Sequence, residues 1–165
     1  MPVKALVPEA RPDLSHMNIR RYEWGPDYQQ RELSRRMRDH RLTGDIIETW
    51  KQNSSTTKTL IFAVDRAHAR ALQNEIEAHG LSCGYIDAKT DRVERNRLAG
   101  LLQNETINAI VNISTLTTGI DFDVRTIILA RPTKSKMLYQ QIVGRGLRPA
   151  PCLLYTSPSP RDSDS

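Results

Sequence analysis

Three residues near the C-terminal end of the sequence have types and spacing that suit chemistry on phosphate. Gln141, Arg145 and Arg148 stand at intervals of four and three. At 100° per residue they fall within an arc of about 60° on a helix. Tyr139, Val143 and Leu147 fall opposite, with Ile142 between, so such a helix buries one face and presents an amide and two guanidiniums on the other. Arginine keeps its charge in any protein environment and forks onto phosphate oxygens bidentately. Gly144 and Gly146 weaken the helix by about 1 kcal/mol each, but they clear space beside the arginines. A basic surface helix with ordinary ion pairs would carry the same residues, so spacing alone leaves both readings open.

A second stretch gains meaning from the first. Leu116-Thr117-Thr118-Gly119-Ile120-Asp121 combines hydroxyls, a glycine and a carboxylate. Thr117 and Thr118 suit sugar-phosphate oxygens without reading sequence. Gly119 lets backbone approach a ligand closely, and Asp121 can accept hydrogen bonds from a ribose. By itself a threonine-rich loop is an ordinary turn. Its pairing with Gln141-x-x-Gly-Arg-x-x-Arg about 20 residues later changes the weighing.

The elements that must position these groups alternate. Thr59–Val64, Cys83–Ile86, Ala109–Ile113 and Thr126–Ala130 read as short buried strands, the first a continuous apolar run. Between them, Asp65 caps a helix that Gly80 stops, and Asp91 caps another with Glu94 three residues on. Ser135 suits the cap of the arginine helix. Alternation of this kind predicts right-handed crossovers and a parallel sheet covered by helices. Ligands of such sheets bind beyond the carboxyl ends of the strands, where both polar stretches fall. Upstream, Asp27 is the expected cap of a helix to about His40, and Thr43 that of a second over 44–52. Residues 1–26, with four prolines, read as a linker or extended arm.

Composition narrows the class. The chain has 165 residues, 38% hydrophobic and 26% charged, with a net charge of +5. That length carries one domain with a real core, and the surplus charge favours a polyanionic partner. Cys83 and Cys152 are too few for a disulfide framework. The four histidines have no ligand spacing, so no metal site is expected. No apolar run approaches the ~18 residues of a membrane helix, no signal peptide opens the chain, and a cytoplasmic location is the default.

Together these stretches resemble the second, C-terminal RecA-like domain of a superfamily 2 helicase of the DEAD/DEAH-box type. Thr59–Val64 is similar to motif IV, Leu116–Asp121 to motif V and Gln141–Arg148 to motif VI; Leu129-Ala130-Arg131-Pro132-Thr133-Lys134-Ser135 also matches members of the group. The resemblance implies an α/β fold, a RecA-like parallel sheet sandwiched by helices. It implies an arm at 1–26, a helical extension at 27–57 and the RecA-like domain at 58–151. By the same resemblance Arg145 and Arg148 are arginine fingers for the γ-phosphate of ATP, and Gln141 links the helix to the nucleotide. Gly119 and Asp121 lie near the ribose, while Thr117 and Thr118 meet the nucleic-acid backbone. The implied cofactor is ATP with Mg2+, held mainly by an upstream RecA-like domain of the same chain. The implied partner is nucleic acid, DNA in preference to RNA.

The departures shape the expectation as much. The sequence contains no G-x-x-x-x-G-K-[ST] phosphate loop and no Asp-Glu-x-His or Asp-Glu-x-Asp motif, so these residues are expected to form half of a composite site and not to hydrolyse ATP alone. The absent phosphate loop also counts against a stand-alone nucleotide-binding enzyme. A non-catalytic nucleic-acid-binding module on the same fold is the alternative. Residues 152–165 match one reading frame of a common transposase library adaptor and are set aside as a non-native tail, against the alternative of a natural Ser/Pro-rich tail. On that view the sheet is incomplete at the C-terminus, and an unpaired strand edge favours low stability or aggregation.

Overall fold

A computed structural model of the chain describes residues 4–6, 14–53, 56–113, 124–132 and 152–155, with backbone alone at 4–6, 53 and 152–155. The four strands expected from apolar runs form close to where they were read: β4 at Thr59–Phe62, β5 at Cys83–Ile86, β6 at Ala109–Asn112 and β7 at Thr126–Leu129. They are preceded by β1 (Lys4–Leu6), a hairpin of β2 (Ile19–Tyr22) and β3 (Gly25–Tyr28), and helices α1 (Gln30–Met37) and α2 (His40–Asn53). Between the core strands run α3 (Arg66–Ala78) and α4 (Arg92–Gln103), and β8 (Cys152–Tyr155) follows. The main sheet has the order β1-β8-β7-β4-β6-β5, and every pairing in it is parallel.

Period-2 alternation sends each strand's side chains to two separate cores. Ile61, Ala63, Val111, Ile128 and Ala130 pack with Leu33 and Met37 of α1, Ile46, Ile47 and Trp50 of α2, and Leu72 and Ile76 of α3. Leu60, Phe62, Ile110, Ile127 and Leu129 pack on the other face with Leu98 and Leu102 of α4. The sheet is thus sandwiched by helices. All four residues of β4, β6 and β7 are buried, as a strand covered on both faces requires.

Two expected helix caps hold. Asp65 accepts from His68 N at 2.9 Å and Asp91 from Glu94 N at 2.8 Å, each satisfying an orphan donor of the first turn. Glu94 does not complete a capping box, for its carboxylate turns to Arg97. Gly80 ends α3 at φ +77°, in the left-handed region that glycine enters without steric cost.

Four expectations are corrected. Asp27 does not cap α1. It lies in β3, 2% exposed, and accepts from Trp24 Nε1 at 2.9 Å and Tyr28 N at 2.8 Å; the cap is Gln29, whose side-chain oxygen accepts from Glu32 N. Thr43 lies inside α2, its hydroxyl donating to the carbonyls of Asp39 and His40, a pattern open to threonine within a helix. Residues 1–26, read as a linker or extended arm, contain β1, β2 and the start of β3. Finally, β7 is not an open edge. The backbone at Cys152–Tyr155 pairs with it from Thr126↔Cys152 to Leu129↔Tyr155, and β1 pairs with β8 in turn. Ladder hydrogen bonds need only backbone, so a four-residue apolar run fills the place whatever its origin.

Candidate functional site

The register of the sheet fixes where the two polar stretches begin. Phe62 of β4 stands opposite Asn112 of β6 on one side and Leu129 of β7 on the other. The chain beyond Asn112 and the chain beyond Leu129 therefore leave the same edge of the sheet, flanking the carboxyl end of β4. Their departure points are two strand spacings apart, roughly 10 Å. The seven residues expected to do chemistry, Thr117, Thr118, Gly119, Asp121, Gln141, Arg145 and Arg148, lie outside the described residues. So does the expected cap Ser135.

What the described residues build at this edge is a buried polar network that sequence reasoning missed. Asp65 follows β4 and accepts from Ser34 Oγ of α1 as well as capping α3. Gln30 Nε2 donates to Val64 O at 2.9 Å, and Gln30 N donates to Tyr22 Oη at 2.9 Å. The hairpin, the first turn of α1 and the end of β4 are thereby tied together. On the β7 side, Arg131 is 5% exposed, and its guanidinium sits 4.9 Å from the centroid of the Trp24 ring. That ring stacks on Tyr22 with centroids 4.7 Å apart and planes within 3°. A desolvated cation–π contact of this kind contributes about 2 kcal/mol. Burial lowers the Arg131 pKa, against the opposing charges of Asp27, Tyr22 and Asp65; an arginine remains charged regardless.

His68 completes the network. It is fully buried, and its Nδ1 accepts from Val64 N at 3.0 Å, which leaves the proton on Nε2. Neither His68 Nε2 nor Arg131 Nε has a hydrogen-bond partner among the described residues. Burial pushes the His68 pKa down to about 4; Asp65 opposes the shift, and Arg38 and Arg131 add to it. The imidazole is neutral at pH 7.

A hydrogen-bonded loop stands at the carboxyl end of β5. Asp87 accepts from Lys89 N at 2.8 Å, Tyr85 Oη at 2.9 Å, Arg66 Nη2 at 3.0 Å and Thr90 Oγ1 at 3.2 Å. Burial works to raise its carboxyl, but these donors outweigh it and hold the pKa below the usual value. Arg95 donates to the carbonyls of Asp87 and Thr90, closing the turn from α4. The loop presents Lys89 to solvent, and the first turn of α4 presents Arg92. Among the described residues no group of three or more His, Cys, Asp or Glu is placed to hold a metal ion, and no helix is long and apolar enough to cross a membrane.

Comparison with known proteins accounts for this architecture. The pattern of the family described as helicase conserved C-terminal domain matches residues 33–150. The chain belongs to that family. Over 126 residues this helicase domain is 33% identical to IRC3 of Saccharomyces cerevisiae, a protein named as an ATP-dependent helicase, covering 74% of this chain and 18% of that protein. Over 108 residues it is 28% identical to a 51.5 kDa protein of a Lactococcus phage, covering 65% of this chain and 24% of that one. The chain thus spans less than a quarter of the length of either relative. Among solved structures it is similar to the E. coli DEAD-box protein SrmB, with a TM-score of 0.62 and 21% identity over 72% of this chain and 70% of that one. It is also similar to the Hef helicase domain of Pyrococcus furiosus, with a TM-score of 0.53 and 20% identity over 78% and 27%. At these identities the structural likeness establishes the fold alone, a RecA-like parallel sheet covered by helices.

The sequence held one usable signal for the missed network. Arg131 precedes a proline directly after a buried strand, where a charged side chain must either reach solvent or be paired. No local pattern connects it with Trp24, 107 positions earlier in the chain.

Proposed function

We propose that the chain is the second motor domain of an ATP-dependent nucleic-acid helicase or translocase. One observation carries the reading. The segments that contain Thr117–Asp121 and Gln141–Arg148 leave the same sheet edge on either side of β4, in a chain of the helicase C-terminal family. Nucleotide and nucleic-acid groups then share one edge and one central strand.

In this reading Arg145 and Arg148 donate to the γ-phosphate of ATP and stabilise the charge spread over it during transfer. Gln141 orients the same helix against the nucleotide. Gly119 and Asp121 meet the ribose, and Thr117 and Thr118 hold the sugar-phosphate backbone. The donor set suits a triphosphate: two permanent cations, an amide, and a glycine that admits close approach. In this reading the metal and most of the nucleotide are held by an upstream RecA-like domain. When bound, ATP supplies the phosphoryl group whose hydrolysis drives movement. The exposed Lys89 and Arg92 extend the same edge with positive charge.

The test uses the full-length protein. Replacing Arg145 or Arg148 by Ala should cut nucleic-acid-stimulated ATP hydrolysis by about 10³-fold or more, with binding of single-stranded DNA and RNA nearly unchanged. Loss of binding in parallel with hydrolysis would move both arginines to the nucleic-acid backbone. A full-length protein with neither a phosphate loop nor ATPase activity would leave the alternative, a non-catalytic binding module. Thr118→Trp should preserve hydrolysis and abolish unwinding; normal unwinding would remove Thr118 from the coupling loop.

A further inference from the structure

We infer that the outer face of α1 is a second phosphate-backbone contact, a track that takes nucleic acid beyond the loops at the sheet edge. The inference rests on the reading of the domain as a nucleic-acid motor. Arg31 and Arg35 lie at i and i+4, both exposed and about 40° apart on one face of α1, while exposed Arg38 caps the helix with its Nε donating to Ser34 O at 3.3 Å. Members of such a pair stand about 5–6 Å apart at Cβ. The far side of α1 is committed, with Leu33 and Met37 buried in the core. Arg36, off the stripe, is tied to Glu32 at 2.8 Å and to Ser15 O at 2.9 Å.

The stripe is not a set of ordinary ion pairs. Neither Arg31 nor Arg35 has an acidic partner among the described residues. Over residues 19–41, six exposed arginines (Arg20, Arg21, Arg31, Arg35, Arg38 and Arg41) face two exposed acids, Glu23 and Asp39. A protein partner would want an apolar patch inside a polar rim. Of the two exposed large hydrophobics among the described residues, Val93 lies on α4, and the region of the stripe has Ile19 alone, at 46%. Cationic guanidiniums without an apolar centre fit a polyanion held through its phosphates. Position supports the same occupant. Gln30 Nε2 on Val64 O anchors the first turn of α1 at the carboxyl end of β4, between the two proposed ligand loops. A strand crossing that edge runs onto this helix.

The test is fluorescence anisotropy with the 165-residue chain and a labelled 20-nucleotide single strand, titrated between 50 and 200 mM salt. R31Q/R35Q is compared with R97E, which lowers net charge by the same two units on α4, the helix of the opposite sheet face. Each lost phosphate contact should lower the slope of log K against log salt by about 0.7 for single strands. R31Q/R35Q should therefore lose about 1.4 from the slope and on the order of ten-fold in affinity, while R97E stays near wild type. Equal losses in both variants would reduce the effect to net charge and overturn the track. An unchanged R31Q/R35Q beside a salt-dependent wild type would also overturn it, leaving the domain's function intact. No salt-dependent binding by the wild type would instead remove the nucleic-acid reading on which the track depends. Competition by poly-glutamate as effective per charge as by the single strand would replace nucleic acid with an acidic protein. R35E alone, at an exposed position, repeats the comparison if the double variant melts earlier than wild type.

Discussion

Acid should destabilise this domain through one buried residue. His68 is neutral in the fold, with a pKa near 4 against an ordinary 6.5, because burial opposes its charged form. The unfolded chain therefore binds a proton that the folded chain does not across the window from pH 6.5 to 4, and stability must rise with pH through that window. Integrating the two titrations gives a loss of about 2 kcal/mol between pH 7 and pH 5, and about 3 kcal/mol once pH falls below 4. Other groups titrate too, so the informative quantity is a difference. His68→Asn retains a short acceptor for Val64 N and cannot titrate. Urea unfolding followed by far-UV circular dichroism at pH 7, 6 and 5 measures both proteins. The wild-type midpoint should fall by about 1 M urea more than that of the variant between pH 7 and 5, taking a slope of about 2 kcal/mol per M. Asp87, held below its usual pKa, contributes at lower pH and does so equally in both proteins. Parallel curves for wild type and H68N would show that the imidazole charges freely in the fold and would refute the reasoning.

Three further outcomes follow from the contacts. Trp24→Ala removes the ring over Arg131 and the donor to Asp27, leaving two buried charges less well satisfied; thermal unfolding should show a loss of about 3 kcal/mol, with Trp24→Phe losing about half of it. Asp65→Ala uncaps α3 and strands Ser34 Oγ; a cost of about 2 kcal/mol is expected in urea, and a cost below the error of the midpoint would dismiss the shared role. Deleting residues 152–165 removes the outer of β7's two partners; light scattering should reveal concentration-dependent association through the uncovered edge, and a monomer at all concentrations would show that β1 or another segment takes the place.

The sheet was legible because its strands bury both faces. Leu60-Ile61-Phe62 and Ile127-Ile128-Leu129 have no polar residue to spare, and a run of that kind has few other uses. The caps Asp65 and Asp91 were legible because an acid before a helical stripe acts within three residues. Asp27 misled for the complementary reason: the same residue type was claimed by an indole three positions earlier, and burial of the hairpin outweighed the local cap. Thr43 misled because its hydroxyl is equally well served by carbonyls of the preceding turn. The hairpin escaped notice because its partners are distant. Tyr22 and Trp24 are placed by Gln30 and Arg131, and spacing within residues 19–28 says nothing about either. The arginine helix and the threonine loop were read from spacing and family likeness, and the structure contributes the common edge from which both depart.

The central position of β4 has a mechanical consequence. With β6 on one side, β7 on the other and helices on both faces, the carboxyl end of β4 stands between the two strands that lead into the proposed ligand segments. A close-packed strand transmits displacement instead of absorbing it. A substitution that shifts Phe62 should therefore change nucleotide response and strand grip together, and pairs of substitutions taken from the two segments should combine non-additively even when their side chains never touch. On the proposed reading, coupling between the two segments resides less in either of them than in the strand between.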